Sequence, residues 1–530
     1  MFPRFVIILL LFQVQLKAQS NTAILSGSIE GAQEGDTVTM YIWDGLIDYS
    51  MRYITKHREF TSPIHDGTFK FSIPNIDEPT YFSLGLDKYK FQGQLYEVLS
   101  LYLMDSGDNV EAHLTYSKIK NRVTSGDGNF DSNKYKALFS GAGSDKYTFA
   151  FRLKSKTSSA SFQNKVNFDE AKQYSLNGNE YGFAEYQLTL WDKLQKEAIE
   201  EAKCYGGKIE GNILSLLLTD CVSWIKWNKL YIYYGLAGIN QRADSVTRLR
   251  RSTELNSLYD RYCVPATLKT SDSTLWTSPY LVSYINYKII NDFIRNGINT
   301  SYQGAYETIR SRYSGDFRDR LILSNYFTGN SVDYFLRPDK QEIVKDMLKT
   351  VSNYNYYTIL QEYINRAALG SPIKEFSLPD ASGKYISIAD LKGKVVFIDL
   401  WYSGCGGCAA YYKGVLSKVE EAYKKNDDVV FITISIDGTK DLWLRGLKGG
   451  AYTGEHATNL YTDGQGTQHP FIRHYNITGY PSPFLIDKNG ILVQRGTPLL
   501  SEQGLMKEIE EALAKPIASA ASPHIRERTK

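Results

Sequence analysis

The sequence predicts a multidomain protein: an antiparallel β-sandwich-like domain, then an α-helical middle region, then a C-terminal α/β domain. Three observations carry this. The chain has 530 residues, and at about 150 residues per domain that implies three or four domains. The hydrophobic pattern changes from short, partly alternating segments before residue 116 to three- and four-residue spacing after about residue 178. Near the C-terminus a continuous apolar run, Val395 to Trp401, leads through Cys405-Gly406-Gly407-Cys408 into a helical pattern.

Composition removes several classes. Hydrophobic residues are 42 % and charged residues 22 %, with 41 Gly and 15 Pro, which excludes a mostly disordered or collagen-like chain. A formal net charge of +3 gives no electrostatic case for nucleic acid as a partner. The 40 tyrosines fall mostly in helix- and strand-like patterns and read as core residues.

Residues 1–18 read as a signal peptide. Arg4 supplies the positive start, Phe5 to Phe12 is uninterrupted and apolar, and Ala18 offers a small residue for cleavage before Gln19. The run is short for a membrane span of about 20 residues. An exported, periplasmic protein is expected, and, with no Cys near the cleavage site, one that is not a lipoprotein.

Residues 22–145 form the β-sandwich-like domain. The expected strands are Ala23–Ile29, Thr37–Ile42, Gly67–Ile73, Tyr81–Leu86 and Val98–Met104, with a polar stretch at 116–150 adding a further strand or two. Asp66-Gly67 fits a hairpin entry. His57, His65 and His113 are scattered, without metal-ligand spacing.

Residues 150–366 form the helical domain. Phe183, Tyr186, Leu190, Trp191, Leu194, Ala198 and Ala202 recur at helical spacing. Ile213 to Leu236 is very apolar, but Asp220, Lys226 and Lys229 make it a buried helix rather than a membrane span. Ser278 can cap a helix opening on Pro279, and Gly297 can end it. Further helical patterns lie near 315–327, 339–352 and 355–367. Cys204, Cys221 and Cys263 all fall in this region: a Cys204–Cys221 link and three buried free thiols are both open.

Leu369-Gly370-Ser371-Pro372 breaks the pattern, and residues 369–514 follow as an α/β unit, with 515–530 a flexible tail. Here the CxxC stands where a buried strand hands over to a helix. Two cysteines three apart across a first helical turn can close a small disulfide ring. The first is expected to be exposed at the helix N-terminus, where unpaired N–H groups and the helix dipole favour a thiolate. An ordinary thiol with a pKa of about 8.5 is only about 3 % ionised at pH 7, and lowering it to about 7 makes about half of it thiolate. The second is expected to be the more buried, resolving thiol.

Residues 369–514 resemble a thioredoxin-fold domain of the TlpA-like thiol–disulfide oxidoreductases. The matching features are Phe376-Ser377-Leu378-Pro379-Asp380 with Gly383-Lys384, then Ile388-Ala389-Asp390-Leu391-Lys392-Gly393-Lys394, the strand, Trp401, the CGGC motif and Tyr480-Pro481. The resemblance implies that Cys405 and Cys408 form the redox-active disulfide, that Asp399 is the buried acid assisting Cys408, and that Pro481 is the cis-proline. With Tyr480 and Trp401, Pro481 lines the substrate side. Gly407 and Lys413 depart from the family pattern, standing where a Pro is common. More loosely, the N-terminal β segment resembles the small β domain preceding many such thioredoxin domains in Gram-negative envelope proteins.

A structural zinc site would need two more ligands, and no second CxxC or Cys–His pair is present. Asp399 could be a plain buried polar residue, but a lone acid in an apolar strand is costly without a partner and so points to proton transfer. The function expected is an exported thiol–disulfide oxidoreductase, acting as a reductant on disulfide-containing envelope proteins and recycled by a membrane electron donor. No metal or organic cofactor is required. The alternative is a cell-envelope binding or assembly protein with a redox-inactive thioredoxin domain.

The export reading predicts that the mature chain begins near Gln19 and fractionates without detergent. N-terminal sequencing that returns Met1 from a detergent-only extract would overturn it.

Overall fold

Alternating burial organises the first part of the chain. In β1 (Ala23–Ile29) and β4 (Phe69–Ile73) every second side chain is buried, the signature of sheets with one face turned to a core. The computed structural model describes residues 21–517 except 53, 92–93, 117–134, 167–179, 242–243, 264–272, 300, 329–333 and 336. The expected signal peptide at residues 1–18 and the part of the expected tail beyond 517 lie outside the described residues.

Two four-stranded sheets pack as a sandwich. Along with β1 and β4 they comprise β2 (Thr37–Trp43), β3 (Arg58–Pro63), β5 (Thr80–Phe91), β6 (Gln94–Met104), β7 (Asn109–Tyr116) and β8 (Tyr135–Ala142). The orders are β4-β1-β7-β8 and β3-β2-β5-β6. One pairing departs from the antiparallel expectation: β1 runs parallel to β7, because the chain crosses to the other sheet and back between them. β3 is absent from the sequence reading; it is an edge strand in which only Ser62 is buried, so no apolar alternation announces it. Asp66 and Gly67 both take positive φ, and they turn the chain from β3 in one sheet to β4 in the other.

The helices begin at Ser144, earlier than expected, because Ser144–Val166 has little apolar periodicity: its buried positions mix Lys146 and Thr157 with Tyr147, Phe149, Ala150 and Leu153. Its start is fixed by a buried anchor. Asp108, in the turn after β6, pairs with Lys146 and accepts from the Tyr147 hydroxyl at 2.9 Å. Gly143 has φ 87°, and a β-carbon there would stand 2.1 Å from Asp108 Oδ1, so only glycine admits this contact. The helices Glu180–Lys203, Gly211–Gln241, Ser245–Leu258, Pro279–Arg295, Tyr302–Arg312, Gly315–Phe327, Gln341–Thr350 and Tyr354–Ala367 follow. Ser278 accepts from the Leu281 amide at 3.0 Å, with Pro279 in the first turn. No described helix is long and apolar enough to cross a membrane. Cys204, Cys221 and Cys263 are free: no Cys204–Cys221 link exists, and Cys204 is exposed rather than buried.

The C-terminal sheet has the order β13-β12-β11-β14-β15, from β11 (Val395–Trp401), β12 (Val429–Ser435), β13 (Thr458–Tyr461), β14 (Phe484–Ile486) and β15 (Leu492–Arg495). A hairpin of β9 (Ser377–Pro379) and β10 (Tyr385–Ser387) precedes it. β11, β12 and β13 are parallel, β14 and β15 antiparallel, and every side chain of β11 is buried. This domain docks on the helices through Tyr363, whose hydroxyl donates to the Tyr475 carbonyl, while the Tyr475 hydroxyl accepts from the Lys374 amide at 2.8 Å.

Arg320 joins the sandwich to the helices. It is 4 % exposed, and its guanidinium donates to the carbonyls of Ile47, Leu46 and Trp276. Beside it Ser324 donates to the buried Asp48. Arg320→Met is therefore expected to cost about 3 kcal/mol or more, since each buried carbonyl left unpaired costs about 1–3 kcal/mol. A urea midpoint unchanged from wild type would contradict this.

Candidate active site

β11 ends at Trp401, and the chain turns through Tyr402, Ser403 and Gly404 into the helix Gly406–Tyr411. The turn is pinned from below. Asp437 accepts from the Ser403 amide at 2.9 Å and the Ser403 hydroxyl at 2.8 Å, and the Tyr452 hydroxyl accepts from the Gly404 amide at 2.8 Å. Gly404 itself takes φ 96°. Cys405 is consequently the N-cap residue, and Cys408 lies in the first turn.

The two sulfurs are joined as a disulfide across that turn, with Cα atoms 5.3 Å apart. The Cys408 amide donates to Cys405 Sγ at 3.1 Å, and the Tyr480 carbonyl stands 3.8 Å from the same sulfur. In the reduced protein this amide would stabilise a Cys405 thiolate. The expected order of burial holds but the expected exposure does not: Cys405 is 4 % exposed and Cys408 1 %. Trp401, Trp443 and Tyr461 pack around the pair with Tyr402, Tyr452 and Tyr480, and this aromatic wall narrows access to the first sulfur.

The Tyr480-Pro481 bond is cis, and both residues are half-buried beside Cys405. Trp401 does not share that surface. It is fully buried, stacked on Tyr452 at 4.7 Å, so it forms the floor under the site instead of meeting substrate. Gly446 also presses on the indole, where a β-carbon would stand 3.0 Å from two atoms of its six-membered ring. The departure at Gly407 has no steric cause: a β-carbon there would make ordinary contacts with Tyr480 and Pro481. The departure at Lys413 coincides with a π-helical turn, Tyr412–Leu416, between Gly406–Tyr411 and the helix Ser417–Tyr423. That turn supplies an irregularity where a proline would otherwise bend the helix.

Asp399 is 1 % exposed, and neither carboxyl oxygen has a hydrogen-bond partner among the described residues. Burial pushes its pKa up to about 8; the Leu400 and Ser482 amides, near the carboxyl but outside hydrogen-bond geometry, give partial relief, and Glu420 raises it further. Glu420 is a residue the sequence reading passed over. It too is 1 % exposed, its Oε1 is unpartnered, and burial pushes its pKa up to about 7. A signal for it existed: Leu416, Val419, Glu420 and Tyr423 share the buried face of their helix, so Glu420 replaces an apolar residue at a core position. Asp437, Trp443 and Tyr452 were also unforeseen; each lies beyond the CxxC in sequence and is brought under it by the fold. Among the described residues, no group of three or more His, Cys, Asp or Glu side chains gathers to hold a metal.

Residues 368–513 match the Redoxin family model. Among curated relatives, the chain is 27 % identical over 133 residues to the thiol-disulfide oxidoreductase ResA of Bacillus subtilis, covering 25 % of this chain and 69 % of that protein. To ResA of Bacillus cereus it is 26 % identical over 164 residues, covering 30 % and 86 %. Its C-terminal domain is a thioredoxin-like thiol–disulfide oxidoreductase. Among solved structures, the thioredoxin domain of a thiol-disulfide oxidoreductase from Bacteroides vulgatus is 23 % identical, covering 27 % of this chain and 96 % of its own, with a TM-score of 0.24. A thiol-disulfide oxidoreductase from Bacteroides fragilis is 22 % identical, with 27 % and 98 % coverage and a TM-score of 0.24.

In this oxidoreductase domain Asp399 keeps its proton when folded up to a pH of about 8, whereas an unfolded Asp releases it near 4. Folding therefore binds an extra proton across that window, and stability falls as pH rises through it. Asp399→Asn is expected to be the more stable protein, by an advantage that grows from about pH 4 to about pH 8 and reaches a few kcal/mol. Urea midpoints measured across that range check this; a gap that does not vary with pH would refute it.

Proposed function

We propose that the protein is exported to the periplasm and reduces disulfides of envelope proteins through Cys405 and Cys408. The observation that carries the reading is the sulfur pair at the helix N-terminus, with the Cys408 amide and the Tyr480 carbonyl both beside Cys405 Sγ. In the reduced enzyme the Cys405 thiolate attacks a substrate disulfide. One substrate sulfur leaves as a thiolate, and a Cys405–substrate disulfide forms. Cys408 then loses its proton, with Asp399 as the acceptor directly or through water, and attacks Cys405 Sγ. The second substrate thiolate leaves, and the enzyme is left in the disulfide form seen in the structure. Asp399 accepts in its ionised form, about a tenth of the molecules at pH 7 for a pKa of about 8, and the burial that keeps that fraction small also makes it a strong base toward a thiol.

Tyr480 and Pro481 form the side on which a substrate strand would lie, the Tyr480 backbone pairing with it. A membrane electron donor would return two electrons to the enzyme disulfide. The signal-peptide pattern at residues 1–18 supports export, and the family of the C-terminal domain supports the chemistry.

Removing Cys408 leaves the first step and blocks the second. Cys408→Ser is therefore expected to accumulate mixed disulfides with its substrates, visible as bands that collapse on reduction. Cys405→Ser should give almost none, and both should lose insulin reductase activity. Equal trapping by the two variants would require another mechanism. An inactive wild type with no trapping would favour a binding role for the whole chain.

A further inference from the structure

A cavity of about 270 Å³ opens where β6 meets the helices Ser144–Val166, Gly211–Gln241 and Pro279–Arg295, and no residue of the α/β domain lines it. On one side three aromatic rings from separate elements converge. Tyr49 lies 5.0 Å from Tyr280 and 5.1 Å from Trp224, and Trp224 meets Tyr280 edge-on at 6.0 Å. Lys154 joins them. Its ammonium donates to the Tyr280 hydroxyl at 3.1 Å and stands 5.2 Å from the centre of that ring and 5.6 Å from that of Tyr102.

Lys154 forms no ion pair among the described residues, unlike Lys146 with Asp108 and Lys229 with Asp192. The two acids lining the cavity are engaged elsewhere. Asp220 accepts from the Tyr81 hydroxyl at 2.9 Å and the Ser278 hydroxyl at 2.6 Å, and Glu97 pairs with Arg52. Burial pushes the Lys154 pKa down to about 8, with partial relief from the charges of Asp220 and Glu97, so burial is the larger effect. Rings and a buried ammonium without an ion pair among the described residues together define a ligand: the rings favour a flat apolar body, and the ammonium favours an anion at its edge. Size narrows it further. An apolar cavity of about 150 Å³ holds benzene, so this one has room for two fused rings.

We propose that this cavity binds a small bicyclic aromatic acid, its rings against Tyr49, Trp224 and Tyr280 and its carboxylate on the Lys154 ammonium. The site is separate from the dithiol and does not depend on the redox reading. The probes are 2-naphthoate and 2-naphthamide, which share a ring system and differ in charge. Calorimetric titration of the full chain is expected to show saturable binding of 2-naphthoate, at least about tenfold tighter than of 2-naphthamide, a factor worth about 1.4 kcal/mol. Lys154→Met should remove that preference, and Leu217→Trp, which fills the cavity, should remove binding of both probes. Both variants should keep the wild-type circular-dichroism spectrum and urea midpoint, which report that they fold. No saturable 2-naphthoate binding by the wild type, equal affinity for acid and amide, or binding that survives Leu217→Trp would overturn the proposal. The acid-against-amide comparison on the wild type decides the matter even if a variant does not fold.

Discussion

A dithiol works only if its two sulfurs stay within bonding reach of each other while one of them can still be met from outside. β11 and the helix after it impose the first condition on Cys405 and Cys408, while the aromatic rings packed around them restrict the second, leaving Cys405 4 % exposed. The strand is buried along its whole length, so the point at which it hands over to the helix cannot drift. Asp437 and Tyr452 then hold the three-residue turn by its amides, which leaves Cys405 at the cap and Cys408 one turn in. Every other feature of the site refers to that placement: the Tyr480 carbonyl faces the first sulfur, and the indole of Trp401 closes the space below.

Two buried carboxyls, Asp399 and Glu420, lie in the same domain without hydrogen-bonded compensation for all their oxygens. A buried ion in that state costs several kcal/mol, so proteins keep such groups protonated near neutral pH. Their cost is the physical reason to connect Asp399 with proton movement. It also means that the domain's stability and its proton affinity are set by the same groups.

The N-terminal sandwich and the helices are joined by buried polar contacts as well as apolar packing. Arg320 reaches three backbone carbonyls from two separate segments, and Lys146 and Tyr147 seize Asp108 at the sandwich edge. Such contacts are directional, so they fix how one layer sits on the other, whereas apolar contact alone tolerates sliding. The cavity beside Lys154 lies at this junction, and its shape follows from the same fixed seating.

The sequence by itself determined what is local. Continuous apolar character makes Val395–Trp401 a buried strand, Ser278-Pro279 opens a helix, Asp66-Gly67 makes a turn, and a CxxC at a strand-to-helix step places two sulfurs in one helical turn. Each depends on residues within a few positions of one another. The edge strand Arg58–Pro63 and the helix Ser144–Val166 were not legible, because the strand buries only Ser62 and the helix mixes Lys146 and Thr157 into its buried face, so neither leaves an apolar period to read. Only the tertiary structure decided what lies around the sulfurs. Tyr452, Trp443, Asp437 and Tyr480 come from 29 to 75 residues beyond Cys408 or Cys405, and no local pattern encodes which of them will face a given atom. The same holds for burial: Cys405 and Trp401 are closed in by residues distant in the chain, because exposure is a property of packing between elements and not of the element that carries the side chain.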